Sequence, residues 1–260
     1  MSPIGECLMG KKFARKSAGK IAVLAMLLAL VIIFICVPVS ISGVSIAMCL
    51  VPILISALVQ SFGITAILTA IMAVGLWASA FVSASPVAAI FRNPLIGIVP
   101  RLAVGLVAYG VYHGLSRLAA SSLKRYDDVK AGDGDYKKAR ARAYAVRGGF
   151  AAAACLLGTL SNTLLVSFNI WLCYIVGDMP IDSNLPMLFF EGAVIVNAVI
   201  EAVAFTLLVP PIAAAIDKAG YGIAGRKRHK RAAGKIERSA AIDSDAADKT
   251  GSTEPEDNNR

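Results

Sequence analysis

The amino-acid sequence predicts an all-α integral membrane protein with six transmembrane helices and both termini in the cytoplasm. Three observations predict it. Hydrophobic residues make up 57% of the 260 residues and charged ones only 17%, against about a quarter charged in a soluble domain. No Asp, Glu, Lys, Arg or His occurs from Ile21 to Phe91, a run of 71 residues. A membrane helix needs about 20 apolar residues to cross about 30 Å of hydrocarbon, so this run has room for three spans. The third observation is where the basic residues fall. Five lie in 11–20, nine in 117–147 and ten in 218–260, which is 24 of 26. Basic clusters belong on the cytoplasmic side. All three share a side only if an even number of spans separates them, and six satisfies that where five does not.

The elements follow in order. Span one is Ile21 to Val37. Pro38 and Ser40-Ile-Ser-Gly-Val-Ser45 make an outer turn. Span two, Ile46 to Leu58, is short and contains Pro52; an alternative is one long helix followed by a re-entrant segment. Gln60-Ser-Phe-Gly63 is an inner turn, and Ile64 to Val82 is span three. Ser83 to Pro94 is an outer loop, and Ile98 to Leu118 is span four. Residues 121–143 form a polar cytoplasmic loop around Gly132-Asp-Gly134. Span five lies within Gly148 to Val176, where no charge occurs. Gly177 to Asn184 is an acidic outer loop, and span six is Leu188 to Ile216. The chain thus divides into a basic cytoplasmic N-terminus (1–20), a six-helix membrane domain (21–218) and a basic, then acidic tail (219–260). That tail is polar and free of aromatics past 239, a composition that favours disorder.

Several function classes fit poorly. The net charge of +9 is spent on juxtamembrane clusters, and no aromatic stacking platforms lie between the basic residues, so no nucleic-acid partner is expected. Lys11 to Lys20 ahead of Ile21–Val39 has the look of a signal peptide. Its apolar run exceeds the usual 7–15 residues, and a retained first helix is the better reading. Of five cysteines none forms a CxxC pair, and four sit in apolar runs, so neither a disulfide framework nor a metal site is expected. His113 and His229 are the only histidines. Neither has a second ligand at metal spacing or a nucleophile motif. No catalytic residue, metal or cofactor is predicted, and the chain is not expected to be an enzyme.

One segment has a familiar pattern. It reads Phe91-Arg-Asn-Pro-Leu-Ile-Gly-Ile-Val-Pro-Arg101, followed by Val104-Gly-Leu-Val-Ala-Tyr109. It resembles the "NPL…PR" segment before the fourth helix of substrate-binding S components of energy-coupling-factor (ECF) vitamin transporters. Gly158-Thr-Leu-Ser-Asn-Thr163 is similar to their fifth-helix "GTLTNT". Glu201 through Pro210-Pro211 is similar to their sixth-helix "E…VPP". The blocks keep the family's order over most of 20–218. The resemblance implies a six-helix protein of the bacterial plasma membrane that captures a small vitamin from outside. It also implies partners: a transmembrane coupling protein and two ATPase subunits. The chain has no Gly-x-x-x-x-Gly-Lys-Ser/Thr, so ATP would be bound by another chain. The blocks look nearest the pantothenate-type branch. Met48-Cys-Leu-Val-Pro52 is apolar where many relatives carry a polar or His-containing segment. Folate, riboflavin, cobalamin and thiamin-precursor ligands therefore stay open, as does a stand-alone proton-coupled secondary transporter.

Candidate residues each carry two readings. Arg92 and Arg101 are the only basic residues outside the three clusters. With Asn93, they either bind a carboxylate or phosphate or hold Glu191, Glu201 or loop carbonyls. Asn162, with Ser161 and Thr163, either binds ligand or bonds a neighbouring helix; Asn169 and Asn197 share that ambiguity. Trp77 and Ser79 line a pocket, or Trp77 anchors its span at the interface. Glu201 lies deep and needs a partner or a proton. Ala25 and Ala29, with Ala22, form a small-residue stripe on span one. The resemblance implies that this stripe meets the coupling protein.

Overall fold

A computed structural model describes residues 3–37, 39–41, 44–83, 86–121, 136–177, 193–219 and 221. Eight helices and one hairpin appear among them: α1 (Pro3–Cys36), β1 (Val39–Ile41), β2 (Val44–Ile46), α2 (Leu50–Val59), α3 (Phe62–Val82), α4 (Pro86–Phe91), α5 (Pro94–Gly97), α6 (Val99–Leu118), α7 (Tyr136–Val176) and α8 (Ala193–Lys218). The Gly132-Asp-Gly134 loop centre, the acidic loop after Gly177, Glu191 and all of the tail beyond Tyr221 lie outside the described residues.

Four helices are long and apolar enough to cross a membrane: Phe62–Val82, Pro94–Leu118, Lys137–Val176 and Val196–Lys218. This is a multi-pass membrane protein. Two shorter apolar helices, Ile21–Cys36 and Leu50–Val59, occupy the stretches expected for spans one and two.

The helices exceed the apolar runs that specify them. α1 continues through the basic segment to Pro3, and α7 begins at Tyr136, twelve residues before the uncharged stretch. Ala, Lys and Arg dominate Lys137 to Arg147 and are good helix formers, so charge does not end the helix there. At 1.5 Å per residue, α7 is about 61 Å long.

The expected outer turn after Pro38 is a two-stranded antiparallel hairpin, with Val39 opposite Ile46 and Ile41 opposite Val44. Two Val-Ser-Ile triplets separated by Ser42-Gly43 account for it. β-branched residues alternating with Ser suit a pleated strand.

All ten residues of α2 are buried. A helix apolar all round belongs inside a bundle. Here α2 packs against α1, α3, α6, α7 and α8. At about 15 Å it is too short to cross alone. Pro52 sits in its first turn, where the missing N–H has no intrahelical partner to lose. Around it Leu27, Val31, Ile53, Leu54, Leu68, Met72, Val104, Cys155, Phe205 and Val209 form one core.

Candidate functional site

The segment 86–101 joins α3 to α6 as two short helices. Asn93 starts α5: its Oδ1 accepts the Leu95 N–H at 3.0 Å, and Pro94 follows at the first helical position. That is the usual arrangement for a helix start. Gly97 lets the turn close, since a Cβ there would stand 2.5 Å from the Phe91 carbonyl oxygen and 2.8 Å from Trp77 Cδ1.

Three predicted site residues meet at this corner. Trp77 Nε1 donates to the Arg92 carbonyl at 2.9 Å. Arg92 Nε donates to the Ala80 carbonyl at 3.2 Å, and its guanidinium lies 5.9 Å from the Phe81 ring centroid. Asn93 Nδ2 reaches Cys173 Sγ on α7 at 3.6 Å. One turn further, Arg101 Nη1 donates to the Gly97 carbonyl, and its guanidinium covers the Phe91 ring at 4.9 Å.

Other candidates stand apart. Ser79 donates its hydroxyl to Leu76 O at 2.7 Å, and Ser161 donates to Gly158 O at 2.7 Å, so both serve their own helices. Asn162 has a buried Oδ1 with no hydrogen-bond partner among the described residues. It lies seven residues before Asn169 and so on the same face of α7. Ala22, Ala25 and Ala29 are exposed on α1, away from the face that buries Leu27 and Val31.

Two residues whose role the sequence leaves open complete the geometry. Asn169 Nδ2 donates to Leu95 O at 2.9 Å, tying α7 to α5. Glu201 is only 3% exposed. Its Oε1 accepts from the Ala47 N–H at 2.7 Å and from Asn197 Nδ2 at 3.2 Å. The carboxylate thus fastens the end of the hairpin to α8.

No protein-family model matches the chain, and no curated protein matches it.

The polar side chains described are a guanidinium on α6, a carboxylate on α8 and amides before α5 and on α7 and α8, each held by a neighbouring protein group. Among the described residues no three His, Cys, Asp or Glu side chains gather to hold a metal. His113 lies near the far end of α6, its ring 4.1 Å from that of Tyr109.

Proposed function

We propose that this protein is the substrate-binding S component of an ECF-type importer, taking a small vitamin of pantothenate type from outside a bacterial plasma membrane. The observation that carries the reading is the 91–101 segment. The residues that resemble the family's motif supply the helix start at Asn93, the tight approach at Gly97 and the Arg101 guanidinium beside the Phe91 ring. A carboxylate pairs well with guanidinium.

The six-span reading counts the four long apolar helices with the two shorter ones, α2 crossing together with the residues that flank it rather than alone. An even count leaves 24 of the 26 basic residues in the cytoplasm and both termini there. The exposed Ala22, Ala25 and Ala29 suit close approach by a helix of the coupling protein, and two ATPase subunits complete the importer. A second reading, a proton-coupled secondary transporter, draws on the buried Glu201.

Purification of the full chain from a host encoding the ECF module separates the two. The importer reading expects co-purified coupling protein and ATPases, and a retained vitamin in the mass spectrum. Uptake that continues in cells without those ATPases would overturn it in favour of proton coupling.

A further inference from the structure

We propose that the chain's own acidic segment, Asp243 to Asp257, docks on the basic face of α7 between Lys137 and Arg147, at the end of the bundle away from the hairpin. The inference goes beyond the S-component reading and does not depend on it. Contacts along the bundle place that face. α8 is tied to the hairpin at Glu201, whose carboxylate accepts from the Ala47 N–H at 2.7 Å. It ends at Lys218, about 26 Å further along, and a Cβ on Gly19 of α1 would run into the ring of Tyr221. α6 also runs away from the hairpin. Its Gly105 lies against Ile53, six residues after Ala47, and its Tyr109 ring meets that of Phe62, past the end of α2, at 5.4 Å. α7 opposes α6: Asn169 bonds the Leu95 carbonyl at 2.9 Å, and a Cβ on Gly158 would stand 3.0 Å from Ala108 Cβ. The first turns of α7 therefore lie at the same end as Arg117 and Lys218.

The face is of one sign. Lys137 to Arg147 holds five basic residues and no acidic one. Ala139 and Ala143, one turn apart, are buried, so one side of this stretch is packed. Lys137, Lys138 and Arg142 stand exposed on the other sides, and Arg117 and Lys218 are exposed as well. Carried on a helix, these cations hold their spacing before a partner arrives, and the partner does not bear the cost of ordering that backbone.

The chain supplies the complement. Asp243 to Asp257 carries six acidic residues against one lysine. The stretch 122–135 just before α7 has four acidic residues against three basic ones and so offers little net charge. Twenty-one residues separate Tyr221 from Asp243. Extended, they span up to about 70 Å, far more than the about 16 Å from Lys137 to Gly148. A tether of that length also keeps the segment at a high effective concentration. Anionic lipid is the rival occupant, and distance weighs against it. Headgroups reach about 5–7 Å beyond the hydrocarbon. With the uncharged stretch starting at Gly148, Lys137 stands about 16 Å beyond that edge. Lipid reaches the Arg147 end only, whereas an acidic peptide reaches the whole face. While docked, the segment closes this surface to any other acidic partner.

The test is zero-length carbodiimide cross-linking of the purified full chain in nanodiscs of neutral lipid, with the joined peptides identified by mass spectrometry. Amide links are expected from the Lys137 and Lys138 amines to carboxylates of 243–257. Salt at about 0.5 M shortens the screening length to about 4 Å and is expected to lower their yield about fivefold. The triple change Asp243→Asn, Asp245→Asn and Asp248→Asn leaves Glu254, Glu256 and Asp257 to report, and their links to α7 are expected to fall to a similar extent with the unfolding midpoint unchanged. Arg142→Glu keeps both reporting lysines and is expected to do the same. Links from 243–257 that reach only Lys227, Lys230 and Lys235, or only the lysines of 11–20, overturn the inference. So does a yield that ignores salt and both variants, or links that form only between differently labelled copies of the chain. Loss of the links in nanodiscs of anionic lipid would give the face to the membrane and overturn it too. None of these outcomes bears on the S-component reading.

Discussion

Arg92 and Arg101 look alike in the sequence, and their surroundings divide them. Arg92 is exposed, and its Nε donates to the Ala80 carbonyl. That oxygen belongs to the last turn of α3, where a helix has no N–H of its own to offer. A cation there is also favoured by the helix dipole. Arg92 is therefore a cap. Arg92→Ala is expected to cost about 1 kcal/mol, a fall of about 2 °C in the unfolding midpoint, with ligand affinity changed less than threefold. Thermal unfolding alongside ligand titration checks it; a tenfold loss of affinity at unchanged stability would return Arg92 to the site. Asn93 acts on its own backbone as well as on α7. Asn93→Ala removes the start of α5 and is expected to cost about 1 kcal/mol. It should also loosen the loop that carries Gly97 and Arg101, so that affinity falls with stability. An equal loss of stability with full affinity would limit Asn93 to capping.

Elements meet where side chains are small. A Cβ on Gly158 of α7 would stand 3.0 Å from Ala108 Cβ on α6 and 3.2 Å from Leu54 Cδ2 on α2. Gly158→Val must push three helices apart, at about 1–3 kcal/mol for overpacking. The expected result is a broader gel-filtration peak and a lower unfolding midpoint. Unchanged stability would mean that the three helices do not meet there. The sequence holds most of these elements in plain form. The uncharged run and the charged gaps mark α1, α2, α3 and α6 to within a few residues at most boundaries. The hairpin is not legible: Ser40 to Ser45 read as a turn and Ile46 as the start of a helix, because the two Val-Ser-Ile triplets are short and sit inside an apolar run. The helical stretch from Tyr136 to Arg147 is hidden differently: its charges read as loop, while its residue types favour helix. The site is legible only in part. Asn93 and the two arginines stand out because polar residues are scarce there. The bond between Glu201 and Ala47 joins positions 154 residues apart, and nothing local in either segment announces it. Asn169 and Cys173 fall to the same difficulty, since their partners lie on the loop before α6.

At the scale of the whole molecule, the proposed import cycle requires two surfaces to work independently. One is the proposed ligand end, at the corner where α5 leads into α6. The other is the exposed stripe of α1. Ala22, Ala25 and Ala29 span about two turns, or about 10 Å, and their side chains point away from the buried Leu27 and Val31. Replacing them does not disturb the core of this chain. It removes the close approach that small residues give a partner helix, because a leucine at either position holds a second backbone away. The double change Ala25→Leu with Ala29→Leu is therefore expected to leave folding and ligand occupancy at wild-type levels. It should lower co-purification of the coupling protein at least tenfold and abolish uptake in cells. A stripe that only faces lipid predicts the opposite, because leucine is as well solvated by acyl chains as alanine. Full uptake in the double variant would then show that the coupling protein docks elsewhere. Loss of ligand occupancy along with uptake would show that α1 supports the site, so the two surfaces would not be independent.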